Sequence, residues 1–179
     1  MRWFWIDRFV EFEHGKRAVS EKVVSLSEDA LDDRLPGFPL MPASLIVEGL
    51  AQTGGLLAGE YRGFKERVVL AKVTKAQFHF PAVPGDVLRY TATLLDIKPD
   101  GAMCSGTSHV GGRLQGEFEL MFAHLSSAVQ RELFEPAEFL RLLRILRLFE
   151  VGRKEDGSPL EVPEHLLAAE RLVGIEGGA

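Results

Sequence analysis

The chain has 179 residues and a mass of 19.8 kDa, enough for one domain of ordinary size with a buried core. Its net charge of −5 argues against a general nucleic-acid binder, because binding phosphates requires a basic face. A single cysteine excludes an internal disulfide framework and a multi-cysteine zinc site. The sequence shows neither a signal peptide nor an apolar run of about 18 residues, the length of a membrane span. We therefore expect a cytoplasmic protein without a metal, a cofactor or a membrane span.

The first predicted element is a β-hairpin. Residues 9–13 and 18–25 are rich in β-forming side chains, and His14, Gly15 and Lys16 lie between them. Residues 27–42 follow with three prolines and a glycine, which is typical of an ordered, irregular loop.

A long helix is predicted from Pro42 to Tyr61, because proline is favoured in the first helical turn. This segment is apolar on almost every side, as in a membrane span or a helix buried in a core. Glu48, Gln52 and four glycines in the segment argue against a membrane span. The pattern therefore predicts a buried central helix.

Five strands are predicted after this helix, over residues 67–74, 76–80, 87–97, 102–110 and 113–125. The turns at residues 98–101 and 111–112 contain Pro-Asp-Gly and Gly-Gly, both typical of hairpins. Consecutive strands joined by short turns form an antiparallel sheet. Only a sheet curved around the helix could bury it, so the predicted fold class is α+β.

A helical tail is predicted at the end of the chain. Residues 138–150 form an amphipathic pattern in which Arg141, Arg144 and Arg147 recur at every third position. This pattern favours a helix packed on the sheet or on a second subunit, while a helix on a membrane surface or an acidic partner is the alternative. Residues 152–163 are loop-like, and residues 164–171 predict a last short helix.

Three polar residues lie on one face of the predicted central helix. Ser44, Glu48 and Gln52 are spaced by four, and apolar residues surround them. Burial of an unpaired carboxylate is very costly, so Glu48 must face a partner, a cavity or an interface. It could be a structural residue paired with an arginine or with backbone donors, or it could act as a general acid or base.

The proline-rich loop before the helix is a second candidate feature. Its prolines restrict the backbone and lead directly into a helix N-terminus. The first N–H groups of a helix have no internal acceptor, so those of Ala43 and Ser44 could bind an anion or a polarised carbonyl oxygen. A simple proline-rich helix entry is the alternative interpretation.

Three segments together resemble one family. They read WFWIDRFVEFEHGKRAV, LPGFPLMPASLIVEGLAQTGGLLA and FHFPAVPGDVL, in that order. They resemble the β-hydroxyacyl-[acyl-carrier-protein] dehydratases of fatty-acid synthesis, which belong to the hotdog-fold superfamily. The resemblance implies a hotdog domain over residues 1–125, and it leaves residues 126–179 as a helical C-terminal extension.

The resemblance also implies an assembly and a site. It implies a homodimer, or a trimer of dimers, with the active site at the subunit interface. The substrate would be a thioester of acyl carrier protein or coenzyme A. The acidic catalytic residue would be Glu48, and the backbone donors would lie near Ala43 and Ser44. The implied substrate contacts are Gly37, Ala43, Ser44, Gln52, Phe78 and Phe80.

The loop departs from the family pattern His-Phe-Pro-Gly-His-Pro-x-Met-Pro-Gly. Arg34 stands at the catalytic histidine position, Phe38 at the second histidine position and Ala43 at the final glycine position. Arginine stays protonated at neutral pH and cannot accept a proton. His79 is the best candidate for a substitute. However, strand alternation would point it away from the side that Phe78 and Phe80 face.

Three functions remain open at this stage. The first is a dehydratase-like enzyme of fatty-acid metabolism with altered or weak catalysis, in which Glu48 and Arg34 occupy the catalytic positions. The second is a non-catalytic subunit that binds acyl thioesters or partners an active dehydratase. The third is a hotdog thioesterase in which Glu48 activates water, while Arg34 or the helix N–H groups hold the oxyanion.

Overall fold

The fold consists of one long helix laid against a seven-stranded sheet. The computed structural model of the protein describes residues 4–32, 37–125 and 135–176. The strands are β1 Arg8–Glu13, β2 Arg17–Val23, β3 Arg67–Phe78, β4 Val87–Lys98, β5 Gly101–Val110, β6 Arg113–Leu125 and β7 Gly152–Arg153. The helices are α1 Asp29–Asp32, α2 Ala43–Tyr61, α3 Pro136–Ile145, α4 Leu148–Val151 and α5 Glu164–Glu176.

The sheet has the strand order β3-β6-β5-β4-β2-β1-β7. All pairs are antiparallel except that of β1 with β7, and register shifts interrupt four of them. Such irregularities bend strands, and the sheet curves around α2, which packs against β2 to β6. This arrangement confirms the predicted α+β hotdog fold.

The central helix begins where the sequence predicts it. Pro42 precedes the first helical residue, and its carbonyl oxygen accepts hydrogen bonds from the N–H groups of Leu45 and Ile46. Leu50 and Leu57 are fully buried against the sheet. No helix in the described part of the chain is long and apolar enough to cross a membrane.

The two strands predicted over residues 67–74 and 76–80 are a single strand, β3. Pairing with β6 continues through residue 75, and the two register shifts of this pair both lie before it, between residues 70 and 72 and between residues 73 and 75. β3 ends at Phe78, so the next two residues lie beyond the strand. It is also the edge of the sheet, and most of its side chains are exposed.

The prediction of a single helix over residues 138–150 is wrong, because the structure divides this segment into α3 and α4. Arg147 between them has φ 62°, in the left-handed region, which ends one helix and starts another. The break lets the Leu146 carbonyl accept a hydrogen bond from Phe9 N–H. It also brings β7, in a segment predicted as loop, alongside β1. The last helix, α5, is longer than the predicted 164–171.

The tail helices pack on the rest of the protein, as the favoured interpretation predicts. Leu140 and Leu143 of α3 are fully buried. The three arginines pair with glutamates nearby: Arg141 with Glu138, Arg144 with Glu170 and Arg147 with Glu150. The division into a domain of residues 1–125 and an extension of residues 126–179 stays a prediction, since 126–134 lie outside the described residues.

Candidate functional site

A largely apolar cavity of about 450 Å³ opens at the N-terminus of α2. The helix start and the chain just after β3 form its walls. The lining residues are Leu40, Met41, Pro42, Ala43, Ile46, Phe78, His79, Phe80, Pro81 and Gln115. Three of the predicted substrate contacts, Ala43, Phe78 and Phe80, therefore lie together around one space.

The helix start gives this cavity a polar end. Ala43 and Ser44 are the first two residues of α2, so helix geometry leaves their N–H groups without a carbonyl four residues earlier. The helix dipole adds partial positive charge at the same place. No basic side chain lies in the last turn and no acidic one in the first turn of α2. The arrangement can hold an oxygen atom that carries partial negative charge.

Three consecutive residues, Phe78, His79 and Phe80, all line the cavity. The expectation that His79 points away from Phe78 agrees with the ring contacts, because Phe78 packs on the ring of Phe118 whereas the His79 ring lies beside Glu117, the neighbouring residue of β6. The backbone N–H of His79 donates to the carbonyl of Gln115 over 2.8 Å. Its ring Nε2 lies 3.5 Å from Oε2 of Glu117.

Glu48 lies on another face of the helix. It is half-buried, and its Oε1 accepts a hydrogen bond of 3.0 Å from Nε2 of Gln52. Oε1 of Gln52 in turn accepts a hydrogen bond of 2.9 Å from the backbone N–H of Trp5. Ser44 begins the same stripe and is exposed. None of Ser44, Glu48 and Gln52 lines the cavity. These predicted site residues therefore lie apart from Ala43, Phe78 and Phe80, which do line it.

The proline-rich loop is described from Gly37 onward. Gly37 has φ 85°, in the left-handed region that favours glycine, and Phe38 is 63% exposed. Arg34, predicted at the catalytic histidine position, lies outside the described residues.

One polar pair was missed by the sequence analysis. His14 Nδ1 lies 2.8 Å from Oε2 of the buried Glu60, and its ring stacks on Tyr61. Burial raises the pKa of Glu60, while the hydrogen bond and the charge of His14 act in the opposite direction. The two residues are separated by 46 positions, so no local spacing could have indicated the pair.

Neither a thiol nor a metal offers a second candidate centre. Cys104 is buried as expected, and burial raises the pKa of its thiol to about 12, which keeps it protonated at neutral pH. In residues 4–32, 37–125 and 135–176, no three His, Cys, Asp or Glu side chains are grouped so that they could hold a metal ion.

Comparison with known proteins gives a family and a set of relatives. The model of the FabA-like domain family matches residues 3–114. A Desulforamulus reducens protein named 3-hydroxyacyl-[acyl-carrier-protein] dehydratase FabZ is 36% identical over 119 residues, 66% of this chain and 84% of the relative. The Roseiflexus sp. protein of the same name is 40% identical over 66% of this chain and 83% of its own length.

Solved structures share the fold at low sequence identity. The dehydratase heterocomplex ApeI:P from Xenorhabdus doucetiae superposes with a TM-score of 0.58 at 15% identity, over 78% of this chain and 88% of that one. The Streptococcus mutans protein smu.793, bound to acetyl CoA, has a TM-score of 0.57 at 15% identity, over 70% and 94% of the two chains.

Proposed function

The chain belongs to the family of FabA-like domains, and we propose that this dehydratase-like protein of fatty-acid metabolism acts on 3-hydroxyacyl thioesters of acyl carrier protein. The observation that carries the proposal is the start of α2, where the first helical residue, Ala43, lines an apolar cavity. A thioester has the same two parts, a carbonyl oxygen that accepts hydrogen bonds and an apolar chain.

The cavity suggests how a thioester would be held. The carbonyl oxygen would accept a hydrogen bond from the N–H group of Ala43, with that of Ser44 next to it at the helix start, while the acyl chain would lie against Phe78 and Phe80. This polarisation makes the hydrogen on C2 more acidic, because the negative charge that develops on the oxygen is stabilised. Loss of that proton and of the C3 hydroxyl gives an enoyl thioester and one water molecule.

We propose that Glu48 supplies the proton to the leaving hydroxyl. Its carboxyl group is half-buried and oriented by Gln52, as a general acid requires. Since Glu48 does not line the cavity of its own chain, it would serve the cavity of a second copy. The edge strand β3 supports a homodimer, because its outer side offers backbone groups for pairing with another β3. A trimer of dimers would contain the same pairing of two β3 strands within each dimer.

The group that accepts the C2 proton must differ from the catalytic histidine of the family pattern. Arginine stays charged at neutral pH, so Arg34 cannot take that role. His79 is the one histidine that lines the cavity in the part of the chain that the structure describes. We propose slow dehydration in which His79 stands in for the missing base and Glu48 remains the acid.

A non-catalytic acyl-thioester-binding subunit is the second candidate. The arginine at the histidine position favours it, because a protein that only binds the thioester needs the cavity and the helix start but no base. A thioesterase that uses Glu48 and water would need the same carboxyl group, and the following assay separates all three functions.

The test is to incubate the full chain with 3-hydroxyacyl and saturated acyl thioesters of acyl carrier protein. Both enoyl product and free thiol are followed. Enoyl product that is lost in His79→Ala and in Glu48→Gln supports the proposal. Free thiol from both thioesters supports a thioesterase instead. Saturable binding without any product supports the non-catalytic subunit. The same reactions with coenzyme A thioesters identify the preferred carrier.

A further inference from the structure

Gln115 is an extra residue in its strand. Ser108 of β5 pairs with Gly116 of β6, and the next residue, His109, pairs with Leu114, so Gln115 has no partner position on β5. This arrangement is a β-bulge, which commonly turns a side chain toward a site. Gln115 and Gly116 are both buried, although neighbouring residues of a regular strand face opposite sides.

The bulge places the Gln115 amide at the wall of the cavity. The side chain is 0% exposed, and Nε2 donates a hydrogen bond of 2.8 Å to the carbonyl oxygen of Phe80. That bond fixes which end of the amide carries the oxygen. Oε1 is buried and has no hydrogen-bond partner among the described residues.

An unpaired carbonyl oxygen at this position carries a cost that a ligand can remove. A buried acceptor without a donor destabilises the protein, and a bound donor restores the missing hydrogen bond. The side chains of Ile46, Phe78 and Phe80, which also line the cavity, are apolar and supply no donor.

We propose that Gln115 selects acyl thioesters that carry a hydroxyl group, by accepting a hydrogen bond from that hydroxyl at Oε1. A hydroxyl group suits this place because its O–H can donate to the Gln115 oxygen. The inference rests on the proposed function, and it adds the residue that recognises a hydroxyl group on the acyl chain. The hydroxyl could be the one on C3 or one further along the chain.

The test measures the binding of three six-carbon pantetheine thioesters by calorimetry: hexanoyl, 3-hydroxyhexanoyl and 6-hydroxyhexanoyl. The full chain carries Glu48→Gln so that the proposed dehydration is blocked. At least one hydroxylated thioester is expected to bind about tenfold more tightly than hexanoyl, the effect of one net hydrogen bond. The preferred isomer shows which hydroxyl the amide binds.

In Gln115→Met, which keeps the length of the side chain but removes the acceptor, the preference is expected to fall to near one. Lys98→Met is the control, since Lys98 is exposed at the end of β4 and does not line the cavity. It should keep the preference. If Gln115→Met fails to fold, Gln115→Asn, whose amide is one methylene shorter, should lose the preference instead.

Two results would overturn the inference, and only the second would also contradict the proposed function. Equal binding of all three thioesters, or a preference that survives both Gln115 variants, contradicts the role of Gln115 alone. Failure of all three to bind contradicts this role and the proposed function together.

Discussion

Gln52 donates a hydrogen bond to Glu48 over 3.0 Å, from one turn further along the central helix. The opposite end of the same amide accepts the N–H of Trp5, so the N-terminal segment holds Gln52 in place. A side chain fixed at both ends can orient a carboxyl group without contacting the substrate itself. We therefore regard Gln52 as a positioning residue for the proposed acid.

Replacement of Gln52 by leucine tests this role. Gln52→Leu should lower kcat for dehydration about tenfold and leave KM nearly unchanged, because the acid is displaced while the cavity is intact. Lys98→Leu, at an exposed position at the end of β4, should leave both constants unchanged. A Gln52→Leu enzyme that raises only KM would show that Gln52 contributes to binding instead.

Close contact at Gly49 predicts a stability difference between two glycines of α2. A Cβ atom at Gly49 would lie 2.6 Å from Tyr90 Cε2 and 2.7 Å from the Trp5 carbonyl oxygen. Gly49→Ala should therefore destabilise the protein by about 1–3 kcal/mol. A Cβ at Gly55 meets nothing nearer than 3.4 Å, so Gly55→Ala should gain up to about 1 kcal/mol from helix propensity. Urea unfolding measures both, and equal effects would contradict the packing described.

Two residues of the tail helix α3 should differ in how much they contribute to the stability of the protein. Leu143 is fully buried, whereas Ile145 on the same helix is 56% exposed. Leu143→Ala should cost about 2–5 kcal/mol of unfolding free energy, and Ile145→Ala should cost about 0.5 kcal/mol or less. Thermal unfolding of the full chain would show the difference. If Leu143→Ala left the melting temperature unchanged, α3 would not pack as described.

Much of this fold could be predicted from local pattern. The hairpin, the start of α2 at Pro42 and the long strands β4 to β6 all follow from residue types and their spacing. The division of the tail helix at Arg147 could not, because pairing between β7 and β1 imposes it and the apolar pattern runs through it unbroken.

The candidate site was predicted only in part. The cavity contacts at Ala43, Phe78 and Phe80 follow from the family resemblance. Gln115 was missed because a bulge does not alter the composition of a strand, and its inward direction depends on pairing with β5. The end of β3 was predicted two residues too late, at residue 80 instead of Phe78.

Glu60 predicts a dependence of stability on pH. Burial raises its pKa above the ordinary value of 4.5, so the folded state binds this proton more tightly than the unfolded state does. The stability that Glu60 contributes is then complete below pH 4.5 and is lost as the pH rises through the raised pKa. Glu60→Gln removes the titrating group.

Urea unfolding of both proteins at a series of pH values isolates this effect. The unfolding free energy of the natural chain minus that of Glu60→Gln should fall as the pH rises from about 4.5, and then level off. Glu13→Gln, at an exposed position of β1, is a suitable control and should show little change. A difference that grows with pH would mean that His14 outweighs burial.

The proposed acid is tested most directly by the rate at which Glu48→Gln forms enoyl thioester from a 3-hydroxyacyl thioester of acyl carrier protein. The account predicts measurable product from the natural chain and at least a hundredfold loss in Glu48→Gln, on the order expected for removal of a general acid. Glu60→Gln, at the far end of the same helix, should keep the rate of the natural chain at neutral pH. An undiminished rate in Glu48→Gln would contradict the account.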